Sequence, residues 1–235
     1  WRVESIEDIE FLAPFKFYRD EPRTVVIQAV FRCGDGCLFA DCRLIGRRQL
    51  ANQTEPQVTT HFTARVRLTP HAAEPVTGSA PALGIGSPIE AADIYRVYFH
   101  GPAYQVLKRA WSEADRIVGE MPAVLPEDCR PGAQALAVSP RLIELCFQTA
   151  GLLGISTQHS MGLPRHVDRV TFPQQPPANG PVYATVIYDP ARECFDAQVV
   201  NGAGHRYVQV SGYRTVEFRT DVGPELLRPL ETAAV

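Results

Sequence analysis

The stretch Ser139–Gly154, SPRLIELCFQTAGLLG, has the pattern of a buried helix. Ser139 can cap a helix, and Pro140 suits a first helical turn, where its missing N–H costs nothing. The apolar residues that follow cover nearly every side of such a helix: Leu142, Ile143, Leu145, Cys146, Phe147, Ala150, Leu152 and Leu153. A helix that is apolar on all sides is normally buried. We therefore expect a buried helix here, with Gly151 and Gly154 as its terminators.

Two polar side chains interrupt this apolar surface. Glu144 and Gln148 are four residues apart and therefore lie on one face of the helix. A carboxylate on a buried helix is costly unless it is paired, and it avoids that cost by holding a proton near neutral pH. Such a carboxyl group can donate its proton to a reacting group, so Glu144 is a candidate general acid. The alternative is a structural ion pair, for which Arg165 and Arg169 are the candidate partners.

Composition and charge exclude several classes of function. The 235 residues are 45% hydrophobic, which suits one large domain or two small packed units. A net charge of -3 offers no electrostatic basis for nucleic-acid binding. The apolar runs are too short to cross a bilayer, and the N-terminus lacks a signal-peptide pattern. The six cysteines form no CxxC pair, which favours thiols in a reducing cytoplasm over zinc ligands.

Most of the remaining chain has the composition of β-strands separated by turns. β-Branched and aromatic residues predict strands over 23–33, 38–50, 58–69, 165–172, 182–188, 194–200 and 205–218, and 106–121 is also strand-like. Gly34–Cys37 and Asn201–Gly202 have the composition of hairpin turns. Pro, Ala, Gly and Ser dominate residues 70–92, which predicts a linker or a surface loop.

The two halves of the chain have matching patterns. The second half is predicted as a strand, a loop, the buried helix and four strands, and the first half as four strands alone. PRTVVIQAV and GPVYATVIY occupy equivalent places in the two halves. This indicates an internal repeat; the alternative is that two antiparallel meanders look alike at this level of detail.

A helix wrapped by an antiparallel sheet is the hot-dog arrangement, so the predicted fold class is α+β, a double hot dog. We expect residues 1–70 to form a partial first hot dog, 71–92 a linker and 93–235 the second hot dog. Trp1 stands where a start methionine is expected. Together with the repeat, this predicts a first hot dog that lacks its opening strand and helix.

Two motifs resemble the dehydratase domains of polyketide synthases and of the related polyunsaturated fatty acid synthases. FHGPAYQ at Phe99–Gln105 resembles the Gly-Pro-aromatic segment at the mouth of that family's second hot dog. LIELCFQ at Leu142–Gln148 resembles its catalytic helix, where an acid is followed four residues later by Gln or His. HFTARVRL at His61–Leu68 and GYRTVEF at Gly212–Phe218 also resemble strands of the family.

The resemblance implies elimination of water from a 3-hydroxyacyl thioester carried on acyl carrier protein. Glu144 would be the acid that protonates the departing hydroxyl, and Gln148 would orient Glu144 or that hydroxyl. Tyr98 or Tyr104 would line the acyl channel, while Gly101 and Pro102 would shape the backbone near the substrate; each of the two tyrosines also has a simpler interpretation as a packing residue.

The resemblance also bears on cofactors and partners. The phosphopantetheine arm belongs to the substrate, so neither a bound cofactor nor a metal is implied. The expected partners are an acyl carrier protein, other megasynthase domains and a second copy of the chain, with no nucleic acid or membrane.

The sequence departs from the family pattern at two points. The family's acid is normally Asp, whereas Glu144 is one methylene longer. The family's catalytic base is a His in an H-x3-G-x4-P motif, which is absent from the 235 residues and would belong to the missing part of the first hot dog. We interpret His100, beside the Gly-Pro bend, as a turn residue. Two other functions remain open: a non-catalytic module that binds or shapes acyl chains, and a hot-dog thioesterase.

Overall fold

The computed structural model of the chain describes residues 1–16, 23–49, 54–82, 88–128, 136–158, 161–174 and 180–218. Its elements in chain order are β1 (Arg2–Phe11), β2 (Thr24–Gly34), β3 (Cys37–Arg48), β4 (Gln57–Thr69), β5 (Ile89–Glu90), α1 (Ala91–Val97), a 3₁₀ turn (Pro102–Tyr104), β6 (Arg109–Glu113), β7 (Arg116–Glu120), α2 (Pro140–Gln158), β8 (Met161–Thr171), β9 (Val182–Asp189), β10 (Cys194–Asn201) and β11 (Arg206–Phe218).

The eleven strands of the described ranges form one antiparallel sheet, in the order β2-β3-β4-β1-β8-β11-β10-β9-β7-β6-β5. Near its centre β1 pairs with β8, with Ser5 opposite Thr171 and Ile9 opposite Val167. On either side of this pair the strand order is the same, because β1-β4-β3-β2 matches β8-β11-β10-β9. In both halves the fourth strand returns to lie beside the first, so the two halves have the same connectivity.

Local sequence patterns predicted most of these elements. The strands predicted on both sides of Gly34–Cys37 are confirmed as β2 and β3, and Gly36 takes the left-handed φ of +68° that a tight turn requires. The strand predicted over 58–69 is β4, and those predicted after the helix are β8 to β11. Leu50, the last residue of the strand predicted over 38–50, lies outside the described residues.

Three details differ from the prediction. The helix α2 continues to Gln158, so Gly151 and Gly154 do not terminate it. Gly151 has a packing role instead, because a Cβ atom there would lie 2.5 Å from the hydroxyl of Tyr98. The strand-like stretch 106–121 is a hairpin, β6–β7, that turns at Ala114, and the short helix α1 was not predicted.

The main core forms where α2 packs on the second half of the sheet. The helix contacts strands β7 to β11. Its apolar side chains enter one continuous cluster, and Leu145, Leu152 and Ile155 are fully buried there. The segment after β4 crosses the β10–β11 hairpin, where Gly78 N–H donates to the carbonyl of Gly204 over 2.7 Å. No helix among the described residues is long and apolar enough to span a membrane.

Over β2 to β4 the first half of the sheet carries an apolar face on which no helix of the described residues packs. Paired residues project to the same side of a sheet, which places Ile27, Leu44 and Phe62 together. This face continues across the sheet through the Ile6–Val170 pair into the core beneath α2. At its edge the side chain of Ile27 is 74% exposed. At β1 the ring of Phe11 already contacts Phe147 of α2, so we call the apolar side of β2 to β4 the first-half face.

The cysteines in the described ranges are free thiols: Cys33, Cys37, Cys42, Cys146 and Cys194. Burial, followed by the nearby charge of Glu144, raises the pKa of the Cys146 thiol. That thiol therefore packs as a small apolar group at neutral pH. Cys129 lies outside the described residues.

Truncating Leu152 to Ala tests the assignment of α2 as the central core element. Leu152 is fully buried, so Leu152→Ala removes packing atoms and leaves a cavity, and we expect it to lower the free energy of unfolding by about 2–5 kcal/mol. Leu136→Ala is the matched control, because the Leu136 side chain is 56% exposed, and its expected effect is below about 0.5 kcal/mol. Equal losses in chemical denaturation would contradict the assignment.

Candidate active site

A cavity of about 250 Å³ lies between α2, the segment after α1 and the start of β8. Its wall is mostly apolar, formed by Phe147, Ile155, Met161, Leu163 and Tyr213. Three polar side chains enter this lining: Glu144 and Gln148 from α2, and His100 from the segment that precedes the 3₁₀ turn. An apolar pocket with a few convergent polar groups is the usual form of a small-molecule site.

The amide of Gln148 is fixed by three hydrogen bonds. Its Oε1 accepts from the Tyr95 hydroxyl over 2.8 Å, while its Nε2 donates to the carbonyl of Tyr104 over 2.8 Å and to Oε1 of Glu144 over 2.9 Å. The side chain is 2% exposed. A buried amide is stable only when its donors and acceptor are satisfied, and here they are.

The direction of these bonds follows from the Tyr95 hydroxyl. That oxygen accepts the backbone N–H of Leu107 over 2.7 Å, so its own hydrogen is available for Oε1 of Gln148. The two N–H bonds of the Gln148 amide then point to Tyr104 and to Glu144. The network therefore delivers a hydrogen-bond donor to Oε1 of Glu144.

The same oxygen of Glu144 has a second neighbour. Nε2 of His100 lies 3.0 Å from Oε1, and both side chains are partly exposed, 23% for His100 and 22% for Glu144. The structure places His100 at this carboxylate, and not Arg165 or Arg169, which were the candidate ion-pair partners. Arg169 contacts Glu7 instead. His100, interpreted from the sequence as a turn residue, reaches the carboxylate.

Two tyrosines beside the cavity keep their protons. The Tyr98 hydroxyl donates to the backbone carbonyl of Gln148 over 2.8 Å. Burial is the main cause that raises the pKa of both Tyr98 and Tyr213, and the negative charge of Glu144 contributes to the shift. Both phenols are therefore neutral at physiological pH.

Residues 73–225 match the family model described as the polyketide synthase dehydratase N-terminal domain. This match covers more than half of the chain. The chain belongs to the polyketide synthase dehydratase family. The match includes both FHGPAYQ and LIELCFQ, so the resemblance inferred from these motifs is confirmed. Dehydration is the reaction of this family. A search of curated proteins found no match.

Solved structures of polyketide synthase dehydratases share the fold. The dehydratase domain from the CurF module of curacin polyketide synthase has a TM-score of 0.69 at 19% identity, covering 93% of this chain and 77% of that chain. The CurH dehydratase domain gives 0.65 at 20% identity, covering 92% and 77%. A trans-AT polyketide synthase dehydratase domain from Brevibacillus brevis gives 0.64 at 15% identity, covering 92% and 77%. These neighbours support a mostly antiparallel hot-dog fold.

The residues predicted for the dehydratase site fall into two groups. Glu144, Gln148 and Tyr98 line the cavity. Pro102 begins the adjoining 3₁₀ turn and Gly101 directly precedes it, and neither belongs to the cavity lining. Tyr104, in the same turn, contributes its backbone carbonyl to Gln148, while its ring lies beneath the guanidinium of Arg141.

Sequence reasoning missed two residues of this dehydratase site. Tyr95 orients Gln148, and His100 contacts Glu144. The motif resemblance had placed Gly101 at the mouth of the site, and both residues come from the segment 95–100 that precedes it. Its polar and aromatic residues were the available signal, but the contacts join positions more than 40 apart in the chain. Within the described ranges, no three His, Cys, Asp or Glu side chains lie together as a metal-binding group.

Removing the Tyr95 hydroxyl tests the network. Tyr95→Phe leaves the buried N–H of Leu107 and Oε1 of Gln148 without that partner, so we expect a loss of about 1–3 kcal/mol in unfolding free energy. Tyr188→Phe is the control, because Tyr188 is partly exposed and contacts Phe195 through its ring, which the substitution keeps. If both variants unfold at the same denaturant concentration as the parent, the network is not a stabilising element.

Proposed function

We propose that this chain carries the acid of a dehydratase, with Glu144 as the general acid that protonates the departing hydroxyl of a 3-hydroxyacyl thioester. The observation that carries the proposal is the placement of this carboxyl group, partly exposed within an apolar cavity and bonded at Oε1 by Gln148. Because Oε1 accepts that bond, Oε2 is the oxygen from which a proton can be transferred.

The proposed step is the elimination of water across the α- and β-carbons of the substrate. A base takes the α-proton, the bond between the β-carbon and the hydroxyl oxygen breaks, and a double bond forms between the α- and β-carbons. The hydroxyl receives the proton of Glu144 and leaves as water, and Glu144 becomes a carboxylate. General acid catalysis of this kind contributes roughly 10²–10⁴-fold to the rate. Gln148 orients the acid and takes no proton itself.

The cavity wall supports an acyl chain as the bound group. Phe147, Met161 and Leu163 offer apolar surface, which favours hydrocarbon over a charged ligand. We propose that the thioester arrives on the phosphopantetheine arm of an acyl carrier protein, so that the substrate brings its own prosthetic group and the chain needs no bound cofactor. The other proposed partners are neighbouring megasynthase domains and a second copy of this chain, in the cytoplasm.

We further propose a double hot dog, with residues 1–70 and 93–235 as the two units and 71–92 as the connection between them. Two observations support it: the shared strand connectivity of the two halves, and the first-half face, which continues the surface covered by α2. An apolar sheet face of this kind is normally buried. A helix from outside these 235 residues would cover it and would carry the catalytic base.

Glu144→Gln tests the acid. In the complete natural polypeptide with a 3-hydroxyacyl carrier protein, we expect water loss to fall by about 10²-fold or more, because the amide cannot supply the proton. Glu193→Gln, at an exposed turn, is the control and should leave the rate unchanged. Mass spectrometry of the acyl chain distinguishes the outcomes. Unchanged water loss in Glu144→Gln would remove the acid role, and release of free acid would indicate a thioesterase.

Ile27→Ala tests whether the first-half face is covered by a helix from outside these residues. In this 235-residue chain Ile27 is 74% exposed, so we expect a change below about 0.5 kcal/mol in unfolding free energy. In the complete natural polypeptide the same substitution should cost about 2–5 kcal/mol, as burial would make Ile27 a core residue. Val30→Ala, on the opposite side of β2, is the control and should cost little in both. Equal effects of Ile27→Ala in the two forms would contradict the proposed cover.

A further inference from the structure

His100 is held beside the acid by two aromatic rings. Its imidazole is stacked on Phe99, with ring centroids 5.1 Å apart and planes at 10°, and lies 5.6 Å from the ring of Tyr98. Phe99 is 70% exposed at the cavity mouth, whereas Tyr98 is buried. The ring thus lies between a parallel ring and one tilted by 59° at the point where the cavity opens, and its Nε2 lies 3.0 Å from Oε1 of Glu144.

The acid of this chain has one more torsion than the aspartate that the family pattern would place there. The extra methylene of Glu144 lets its carboxyl group rotate about an additional bond, and each free rotor lowers the fraction of time spent in a productive orientation. Gln148 restrains the carboxyl group from within α2. A second restraint from another element would fix its plane as well as its position.

We propose that His100 is a positioning residue for the acid: its Nε2–H donates to Oε1 of Glu144, so that Oε2 carries the transferable proton. This inference rests on the proposed function of Glu144. Oε1 then accepts from both Gln148 and His100, which makes it the carbonyl-like oxygen of the protonated group. When Oε2 passes its proton to the leaving hydroxyl, the same two donors stabilise the carboxylate that forms. His100 neither gains nor loses a proton in this step.

Two substitutions of His100 distinguish a hydrogen-bond donor from a residue that only fills space. Glutamine can place an N–H near the position of Nε2, whereas leucine fills similar space without a donor. Nδ1 of His100 is buried and has no hydrogen-bond partner among the described residues, so Nε2 is the nitrogen through which the ring can act on the site. The substitution pair therefore separates hydrogen bonding from shape.

Kinetics of the complete natural polypeptide provide the first test. We expect His100→Leu to lower kcat for water loss by about 10²-fold, the scale of losing one preorganised donor, with KM changed less than about threefold. His100→Gln should recover most of that loss. His205→Leu, on the exposed β10–β11 hairpin, is the control and should match the parent. Equal kcat in His100→Leu and the parent, or equal losses in the Leu and Gln variants, would overturn the inference.

A second test does not depend on activity. In ¹⁵N NMR of this chain, we expect the His100 Nε2–H to give a slowly exchanging signal that is lost in Glu144→Ala. A signal that is unchanged in Glu144→Ala would overturn the inference. The failures are distinguishable: an inactive parent polypeptide contradicts the proposed function, whereas an active parent with an equally active His100→Leu variant contradicts only the role of His100.

Discussion

The buried amide of Gln148 is the constraint on which the site depends. It lies on α2, yet its partners come from α1 and from the 3₁₀ turn, so its hydrogen bonds hold three elements around one cavity. An unsatisfied amide in this position would cost more than any of its single bonds contributes. The same amide directs one N–H to Glu144, and the requirement for stability therefore also orients the candidate acid.

The site belongs to one of two sheet halves that share the same strand connectivity. One apolar surface runs across both halves, and α2 covers it in the second half while the first-half face is open in the described residues. Elimination of water needs a base for the α-proton and an acid for the departing hydroxyl, both within reach of the reacting carbons. In the proposed double hot dog, the acid comes from the helix-covered half and the base from the helix that would cover the first-half face.

The sequence predicted those features that depend on local patterns. The buried helix followed from its apolar residues, the strands from β-branched composition, and the pairing of Glu144 with Gln148 from their four-residue spacing. Helix α1 was missed because seven residues without a side-chain cap give little periodic signal. The helix end was misplaced because tertiary packing overrides the cost of Gly151 within a helix, about 1 kcal/mol. The contact between His100 and Glu144 was beyond sequence reasoning, because only the fold brings these distant positions together.

A crystal structure of the chain with a non-reactive 3-hydroxyacyl pantetheine analogue would test the central claim most directly. The account predicts that the analogue's hydroxyl binds Oε2 of Glu144 at about 2.5–3.0 Å, the range of an O–H···O hydrogen bond, while Oε1 keeps its bonds to Gln148 and His100. An analogue seated in the cavity with its hydroxyl away from Glu144, or with the carboxyl group turned toward bulk solvent, would contradict it.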